Sequence, residues 1–371
     1  MNPAQKNPAQ PGVIQPGVIQ PGVALSGWTT LELGGPADRF LDAATEPELT
    51  GAVAAADRAG EPLLVLGGGS NLVVADEGFA GTAVHVAVRG VGTHAGDGPA
   101  VTVTAAAGES WDGFVRHCVA AELSGLECLS GIPGLVGATP IQNVGAYGQE
   151  VAETVTAVRV WDRRRCTVVG LPAAACGFGY RTSGFKRSPG RFVVLNVSFA
   201  LTPSPLSSPI RYAELAARLG VAPGERVPLA AARAAVLDLR RGKGMVVDPA
   251  DPDSRSAGSF FTNPVVGPGQ LAAIERIARG RFGPGVTVPH FPAPDGQVKL
   301  PAAWLIERSG FAKGYRASGA AISAKHTLAL VNPGGGSTKG LLALASEIRG
   351  GVRATFGITL EPEPVLVGVT L

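Results

Sequence analysis

Two glycine-rich segments constrain this chain more than any other feature of its sequence. The first, VLGGGSNLVV at residues 65–74, places three glycines and a serine after an apolar, strand-like run. Backbone without side chains lets N–H groups approach phosphate oxygens closely, so this run predicts either a diphosphate cradle or a plain turn between strands. It does not fit the helical dinucleotide fingerprint, because Leu72 stands where the third glycine of G-x-G-x-x-G should be.

The second segment, SGIPGLVGATPIQNVGAYGQE at residues 130–150, carries five glycines. A loop so rich in glycine loses much conformational entropy on folding, so a close-packed flat ligand explains it better than turn formation alone. Ile132, Val136 and Val144 are suited to face an aromatic ring system, while backbone amides and the side chains of Gln142 and Asn143 meet its polar edges. This segment therefore predicts a site for a flat, partly polar cofactor.

Composition places the chain among ordinary globular proteins. Its 371 residues, 45% of them hydrophobic, suffice for two or three domains with their own cores, and a formal charge of +3 gives no support for nucleic-acid binding. Four cysteines without CxxC pairing and five dispersed histidines predict free thiols and no metal site. Because no apolar run could cross a bilayer and no secretory signal is recognisable, we expect a cytoplasmic protein that binds no membrane, and we also expect a monomer.

Apolar runs alternate with helical stretches along the chain, which is an α+β pattern. The strand-like runs lie at 62–66, 82–88, 100–108 and 327–332, and the helical stretches at 47–60, 228–243, 271–277, 302–309 and 340–357. The repeat PGVIQPGVIQPGVA at 11–24 cannot sustain a helix or a central strand, so it predicts a disordered tail without a catalytic role. The polar, proline-rich stretch 202–212 predicts a linker and the main domain boundary.

The segments GGGSN and GIPGLVGATPIQNVGAYG resemble those of the UDP-N-acetylenolpyruvoylglucosamine reductase (MurB) family, and the resemblance extends from about Trp28 to the C-terminus. It implies an α+β fold with an FAD-binding domain of the vanillyl-alcohol-oxidase/PCMH type, in two subdomains, and a C-terminal α+β substrate-binding domain. We expect a tail at 1–25, the subdomains at 26–93 and 94–204, and the substrate domain at 205–371. The last strand, about 358–371, is expected to pack back on the FAD domain.

The resemblance also implies the cofactors and their contacts. FAD, bound non-covalently, is the cofactor, NADPH is the hydride donor, and a UDP-amino-sugar enolpyruvyl ether of peptidoglycan synthesis is the substrate. The implied FAD contacts are Gly67, Gly68, Gly69, Ser70, Asn71, Gly131, Ile132, Pro133, Gly134, Gly137, Ala138, Gln142, Asn143, Gly145, Ala146, Tyr147 and Gly148.

Three further segments resemble catalytic segments of the family. They are GYRTSGFK, SAGSFFTNP and LEPEPVLVG, in which the resemblance implies Arg181, Ser259 and Glu363 as catalytic residues. Taken alone, Arg181 is better explained as a surface ion-pair residue, and Ser259 is better explained as a turn or cap residue. Two glutamates flank a proline in the third segment, and strand alternation would point both to one face, so the choice of Glu363 over Glu361 follows from the resemblance.

The implied mechanism is a conjugate hydride addition. NADPH reduces the flavin and leaves, and the enolpyruvyl ether then receives the hydride at its terminal alkene carbon. Negative charge moves into the substrate carboxylate, where Arg181 and a protonated Glu363 stabilise it, and Ser259 protonates the adjacent carbon.

The sequences PIRYAEL and RRGK resemble the family's substrate-contacting segments. They imply that Tyr212 lies on a loop that closes over the substrate diphosphate and that Lys243 pairs with this diphosphate, while Asn263 is a further sugar-nucleotide contact. The insertion VVDPADPDSRS at 246–256 departs in length from the family pattern. GWTTLELGG also departs, because it stands where many members carry an asparagine.

Two alternative functions and one further motif compete with this interpretation of the sequence. An FAD-dependent oxidase of the same fold often tethers its flavin through His or Cys, and neither glycine-rich segment contains either residue. A non-catalytic sugar-nucleotide-binding protein is disfavoured because Arg181, Ser259 and Glu363 are all present. The stretch NPGGGSTKG at 332–340 follows a strand-like run and precedes a helical one, as a P-loop would, but its T-K-G does not fit G-K-[ST], so it predicts a helix-entry loop.

Overall fold

The computed structural model describes residues 14–95 and 98–371, and these fall into two compact units. The first unit comprises the described residues up to Gly27, together with Pro36–Gly68 and Gly78–Leu239. The second comprises Trp28–Gly35, Gly69–Glu77 and Arg240–Leu371. The chain therefore passes from one unit to the other inside the first glycine-rich segment, between Gly68 and Gly69.

The chain contains both strands and helices, in the mixed content that the α+β pattern of the sequence predicts. The strands are β1 (Gln20–Ala24), β2 (Pro36–Ala43), β3 (Leu63–Leu66), β4 (Leu72–Val74), β5 (Phe79–Val86), β6 (Val91–Ala95), β7 (Val101–Ala106), β8 (Leu123–Ser124), β9 (Gly145–Ala146), β10 (Gln149–Glu150), β11 (Val155–Asp162), β12 (Thr167–Pro172), β13 (Phe192–Pro203), β14 (Ser256–Ser259), β15 (Val265–Val266), β16 (Phe291–Pro292), β17 (Val298–Lys299), β18 (Arg316–Ala317), β19 (Ala320–Ile322), β20 (Ala329–Val331) and β21 (Val365–Val367). The α-helices are α1 (Glu46–Ala59), α2 (Trp111–Ala120), α3 (Gly184–Arg187), α4 (Ala213–Leu219), α5 (Leu229–Gly242), α6 (Pro268–Phe282), α7 (Ala302–Arg308) and α8 (Thr338–Phe356). Of the described helices, none is both long and apolar enough to cross a membrane.

The first unit is built on two sheets. One has the order β1-β2-β5-β3, in which β2, β5 and β3 are parallel. Helix α1 follows β2; it begins with a capping box between Thr45 and Glu48 and ends at Gly60, whose φ of 65° terminates the helix. The second sheet has the order β12-β11-β13-β7-β6 and is antiparallel throughout. Helix α2 contributes the buried rings of Trp111 and Phe114 to the core of this unit.

Strand β1 corrects part of the prediction for the N-terminus. Residues 20–24 were expected to belong to a disordered tail, but they form a strand antiparallel to β2, with Pro21 opposite Arg39. Proline has no N–H to donate to a neighbouring strand. An edge strand tolerates it because one side of that strand has no neighbour to accept such a bond. Residues 1–13, which include the start of the repeat, lie outside the described residues.

Helix α4, and helix α5 as far as Leu239, belong to the first unit, whereas the sequence placed the main boundary at 204/205. Ile210, Leu215 and Val236 pack in one cluster with Cys128. The stretch predicted as a linker is anchored: Ser207 is buried, and its N–H donates to the Val227 carbonyl at 2.7 Å. The polar composition predicts a solvated linker, but Ser207 makes its hydrogen bonds to Val227 and Ser208 rather than to solvent. The boundary falls instead between Leu239 and Arg240.

The second unit contains the sheet β14-β20-β19-β18, the sheet β15-β17-β16, and the parallel pair β4 and β21. Helix α8 buries an apolar stripe at the spacing of an amphipathic helix, namely Leu341, Leu344, Ile348 and Val352. The helix begins at the N-cap Ser337, within the NPGGGSTKG stretch. The N–H groups of Thr338 and Lys339 donate to the Asp76 carboxylate at 2.7 and 2.9 Å. This confirms the helix-entry loop, because a carboxylate of the chain caps the helix where a phosphate would bind in a P-loop.

Candidate active site

The two glycine-rich segments meet in the first unit. A Cβ atom on Gly68 would lie 2.7 Å from the Cα of Gly134, which is too close for any side chain. A Cβ atom on Gly67 would lie 3.9 Å from Cδ1 of Leu135 and 4.0 Å from the Cβ of Ala138. The first two glycines of GGGSN therefore pack directly against residues 134–138 of the second segment within this unit.

Part of the glycine density has a purely structural cause. A Cβ on Gly137 would lie 2.6 Å from the Cβ of Ala107, and Gly148 has a φ of 82°, which favours glycine. Close chain packing and turn geometry therefore account for these two glycines without a ligand. The prediction that a flat ligand explains the segment applies to the remaining positions.

Asn143 is a structural residue, which corrects the expectation for its side chain. It is 1% exposed and has a φ of 46°. Its Nδ2 donates to Glu150 Oε2 at 2.6 Å and to the Gly179 carbonyl at 3.0 Å, and its Oδ1 accepts from Ala152 N at 3.1 Å. Because both amide hydrogens are used within the chain, the side chain has no donor left for the polar edge of a flavin.

The segment that carries Arg181 is fastened to the second glycine-rich segment by three hydrogen bonds. One is the bond from Asn143 to Gly179. In the others, the buried Ser183 donates through Oγ to the Ile141 carbonyl at 2.6 Å, and an Arg181 guanidinium nitrogen donates to the Gly145 carbonyl at 2.8 Å. Arg181 itself has a φ of 51°. Sequence reasoning missed Ser183, although its place two residues after Arg181 was visible.

Asp112 holds the start of the second glycine-rich segment and was also missed. Its Oδ1 accepts from Gly131 N at 2.6 Å, and Arg233 on α5 donates to both of its oxygens at 2.7 and 2.8 Å. Burial alone would raise the pKa of Asp112, but the hydrogen bonds from Arg233 and Gly131 and the charges of Arg233 and Arg116 outweigh it and lower the pKa. No local motif indicates this role, because Arg233 is distant in sequence.

In the second unit, Gly69 and Asn71 have separate structural positions. Gly69 has a φ of 61°, and a Cβ there would lie 1.9 Å from the Trp28 carbonyl oxygen, so only glycine fits. Asn71 lies beside the C-terminal segment: its Nδ2 donates to the Glu363 carbonyl at 3.4 Å, and its own carbonyl accepts from Val365 N at 2.9 Å. Ser70 lies between them and is half-buried.

Ser259 and Glu363 lie close together in the second unit. Ser259 pairs with Ala329 at the end of β14, directly after an irregularity at Gly258, whose φ is 73°. The next residue, Phe260, accepts a hydrogen bond from Glu363 N at 2.9 Å. Bulges of this kind re-aim side chains and are common beside active sites. Backbone pairing thus brings two of the three predicted catalytic residues together, whereas Arg181 belongs to the first unit.

The two glutamates of LEPEPVLVG have different surroundings. Glu361 has a side chain that is 68% exposed and lies 3.8 Å from Arg349. Glu363 is half-buried beside Asn71 and Phe260. The two therefore differ in exposure: the Glu361 side chain is largely in solvent, whereas Glu363 is half-buried next to the segment that carries Ser259.

The predicted substrate residues are distributed over both units. Tyr212 immediately precedes α4 in the first unit, 44% exposed, with its ring edge-to-face against Tyr147 at 5.5 Å between centroids. Lys243 follows α5 and belongs to the second unit. Asn263, also in the second unit, accepts through Oδ1 from Ala302 N at 2.9 Å at the start of α7.

The residues of the first unit fit a flavin dinucleotide. Gly67, Gly68 and residues 131–148 include no Asp, Glu, Lys or Arg, so they offer neutral backbone donors and acceptors to a ligand with an anionic diphosphate. The nearby cysteines are inert by contrast: burial raises the pKa of Cys118 to about 12, and burial with the Glu127 charge raises that of Cys128 to about 12. Across residues 14–95 and 98–371, no group of three or more His, Cys, Asp and Glu could hold a metal ion.

Comparison with known proteins gives consistent matches along the chain. A family model described as UDP-N-acetylenolpyruvoylglucosamine reductase, C-terminal domain, matches residues 249–367, and one described as FAD binding domain matches residues 37–172. The UDP-N-acetylenolpyruvoylglucosamine reductase of Thermobifida fusca is 58% identical over 94% of this chain and 97% of its own length. That of Salinispora arenicola is 57% identical over 94% of this chain and 95% of its own.

A solved structure agrees with these matches. The UDP-N-acetylenolpyruvylglucosamine reductase (MurB) of Thermus caldophilus has a TM-score of 0.63 at 26% sequence identity. The alignment covers 94% of this chain and 99% of the solved one.

Proposed function

Because this chain belongs to the UDP-N-acetylenolpyruvoylglucosamine reductase family, we propose that its described residues carry out the reaction of that family. The chain is an FAD-dependent oxidoreductase that uses NADPH to reduce UDP-N-acetylglucosamine enolpyruvate to UDP-N-acetylmuramate in peptidoglycan precursor synthesis. The α+β fold with an FAD-binding domain, the activity and both cofactors expected from the sequence are confirmed.

The chain's neutral glycine-rich surface is proposed to hold the cofactor. Gly67, Gly68 and the second segment, from Gly131 to Gly148, would bind FAD through backbone groups and the Gln142 side chain, with Gly69, Ser70 and Asn71 continuing the same loop. Bound FAD supplies the hydride that it receives from NADPH. Asp112 supports this surface by holding the Gly131 N–H. The side chain of Asn143 makes no cofactor contact in this proposal, because its Nδ2 donates to Glu150 and to the Gly179 carbonyl.

The placement of Ser259 next to the Glu363 segment is the observation that carries the catalytic assignment. We assign Ser259 as the donor of a proton to the substrate carbon next to the carboxylate. Glu363, in its protonated form, stabilises the negative charge that develops on the substrate carboxylate. Arg181 is assigned to the same charge: a guanidinium has five N–H donors, so its bond to Gly145 is compatible with bidentate contact to a carboxylate.

Substrate binding is assigned to three further side chains. Tyr212 and Lys243 contact the substrate diphosphate, and Asn263 contacts the sugar nucleotide. Since Oδ1 of Asn263 accepts from Ala302 N, the amide nitrogen is the group that it would offer. We further propose that the enzyme acts in the cytoplasm as a monomer; four free cysteines agree with a reducing compartment.

An anaerobic stopped-flow experiment tests the function directly. The visible flavin spectrum of the purified protein should bleach with NADPH and recover when UDP-N-acetylglucosamine enolpyruvate is added. Recovery with oxygen but not with this substrate would show an oxidase instead, and a colourless protein that binds no FAD would exclude both activities. UDP-N-acetylglucosamine without the enolpyruvyl group is the matched control and should give no recovery.

A further inference from the structure

Glu127 is a fully buried carboxylate of the first unit that lies just before the second glycine-rich segment. Its side chain is 0% exposed. Its Oε1 accepts from Gln149 Nε2 at 3.0 Å and from Ser208 N at 2.6 Å, and its Oε2 accepts from Gly125 N at 2.7 Å. Burying a carboxylate is costly unless donors satisfy it, and three N–H groups do so here. The chain therefore keeps an acceptor-only group at this position.

Two of the three donors lie on segments assigned to ligand binding. Gln149 directly follows Gly148, and its own Oε1 accepts from Cys128 N at 2.9 Å, which fixes the side chain at both ends. Ser208 lies four residues before Tyr212 in the chain. Glu127 thus joins the end of the glycine-rich segment to the start of the segment that carries Tyr212.

The contact between these segments continues as far as Tyr212 itself. A Cβ on Gly148 would lie 3.2 Å from the Cβ of Arg211 and 3.5 Å from Tyr212 N. The Tyr147 ring then packs edge-to-face on the Tyr212 ring at 5.5 Å. Residues 147–149 and 208–212 therefore lie side by side, with a buried hydrogen-bonded end at Glu127 and an aromatic end at Tyr212.

We propose that Glu127, acting with Gln149, is the positioning residue that sets the Tyr212 side chain for the UDP-sugar substrate. This rests on the proposed substrate role of Tyr212. An acceptor with two oxygens is needed at 127, because the donors arrive at both Oε1 and Oε2. In Glu127→Gln the amide NH₂ must face either the Gly125 donor or the donors of Gln149 and Ser208, and the remaining oxygen is an uncharged, weaker acceptor. The hold on Gln149 and Ser208 therefore weakens in either orientation without a change of shape.

A purely structural role for Glu127 makes a different prediction. It would lower the stability of the whole unit while leaving the kinetics of the folded enzyme unchanged. The exposed Glu153, whose carboxylate contacts Arg211, supplies a matched control, since Glu153→Gln changes the charge next to Tyr212 without touching the buried network. Exposed pairs of this kind contribute little.

Hydrogen exchange on the ligand-free, FAD-loaded enzyme tests the positioning step alone. In Glu127→Gln, the amides of residues 207–212 should exchange at least about tenfold faster, with β13 and α2 unchanged, because loss of about 1.4 kcal/mol of local protection gives a factor of ten. Glu153→Gln should leave the exchange of residues 207–212 as in the wild type. Unchanged exchange in Glu127→Gln, or equal acceleration throughout the first unit, would overturn the proposal.

The half-reaction with substrate tests the consequence. The concentration of UDP-N-acetylglucosamine enolpyruvate that gives half-maximal flavin reoxidation should rise about tenfold in Glu127→Gln, with the maximal rate within about twofold of wild type. In a Tyr212→Ala background, Glu127→Gln should add less than about a twofold change, because the two residues act on one contact. The proposal would be contradicted if the effects of the two substitutions on the half-saturating concentration multiplied, or if Glu127→Gln lowered only the maximal rate.

Two further results separate the possible failures. If Tyr212→Ala leaves the half-saturating substrate concentration unchanged, both the substrate role of Tyr212 and this proposal are wrong. If Tyr212→Ala raises that concentration and Glu127→Gln does not, only this proposal is wrong. Should Glu127→Gln not fold, Gln149→Met removes one donor and leaves those of Ser208 and Gly125 in place. It should raise half-saturation about threefold by the same reasoning, and no rise would count against the proposal.

Discussion

The surroundings of Arg181 and those of Ser259 and Glu363 are fixed in different ways. Arg181 lies on a loop in the first unit, with positive φ, fastened by side-chain bonds from Asn143, Ser183 and Arg181 itself. Ser259 and Glu363 lie on segments of the second unit that pair through backbone bonds. Changing a side chain near Arg181 should therefore disturb geometry, whereas changing Ser259 or Glu363 should remove chemistry and leave the framework intact.

Ser259→Ala should give the largest effect and tests the second half of this comparison. Flavin reoxidation by the enolpyruvyl substrate should slow by about 10²–10⁴-fold, because the proposed general acid is removed. Flavin reduction by NADPH and the melting temperature should stay as in the wild type, since the backbone pairing with Ala329 remains. Ser309→Ala, which removes another half-buried hydroxyl of the second unit, is the control and should leave reoxidation unchanged. Normal reoxidation in Ser259→Ala would remove this residue from the mechanism.

Glu363→Ala compared with Glu361→Ala sharpens the same point. Loss of a group that stabilises developing charge costs about 10²–10³-fold, so Glu363→Ala should slow the maximal rate of reoxidation by this factor. Glu361→Ala should have almost no effect, because the carboxylate of Glu361 is exposed. Its contact with Arg349, at 3.8 Å, is an exposed ion pair of the kind that contributes little. Single-turnover kinetics on both variants measures the difference. The assignment would be reversed if Glu361→Ala were the slower enzyme.

Substitution of Asn143 tests whether side chains fasten the Arg181 loop. Asn143→Asp removes the donors to Gly179 and places a second carboxylate beside Glu150, so the free energy of unfolding should fall by about 1–3 kcal/mol. Asn143→Gly loses these bonds and also the acceptor for Ala152 N, but it relieves the positive φ and adds no charge beside Glu150, so it should be the milder change. Chemical denaturation measures both. If Asn143→Asp were as stable as the wild type, the contrast between the two regions would not hold.

Asp112→Asn gives the smallest effect and depends on pH. The pKa of Asp112 is lowered in the folded protein, so its ionised form contributes stability above the unfolded pKa of about 3.9, and this is lost as pH falls through the folded value. The variant should be less stable than the wild type at pH 7, and the difference should shrink below about pH 4. Asp238→Asn, in an exposed pair with Arg218, should show no such trend. A difference that is constant with pH would show that charge plays no part.

Local patterns in the sequence were enough for most elements. The helices at 47–60, 228–243, 302–309 and 340–357 are found within two residues of those bounds, because amphipathic spacing and capping residues are local signals. Helix α6 extends beyond the predicted 271–277 on both sides. The prolines and glycines of the repeat predict no strand, but pairing with β2, from Ala24 opposite Pro36 to Gln20 opposite Phe40, makes residues 20–24 a strand.

The sequence by itself was enough to indicate the glycine-rich segments, the family they resemble, and Arg181, Ser259 and Glu363 as candidate catalytic residues, because each of these is carried by contiguous residues. Tertiary structure alone decided which glycines are needed for chain packing, that Asn143 serves the Arg181 loop, and that Glu127 and Asp112 hold the glycine-rich segment. The physical reason is distance along the chain: Asp112 and Arg233 are 121 residues apart, and Glu127 and Ser208 are 81 apart. A buried polar side chain must find hydrogen-bonding partners wherever the fold brings them, and no local pattern records where that is.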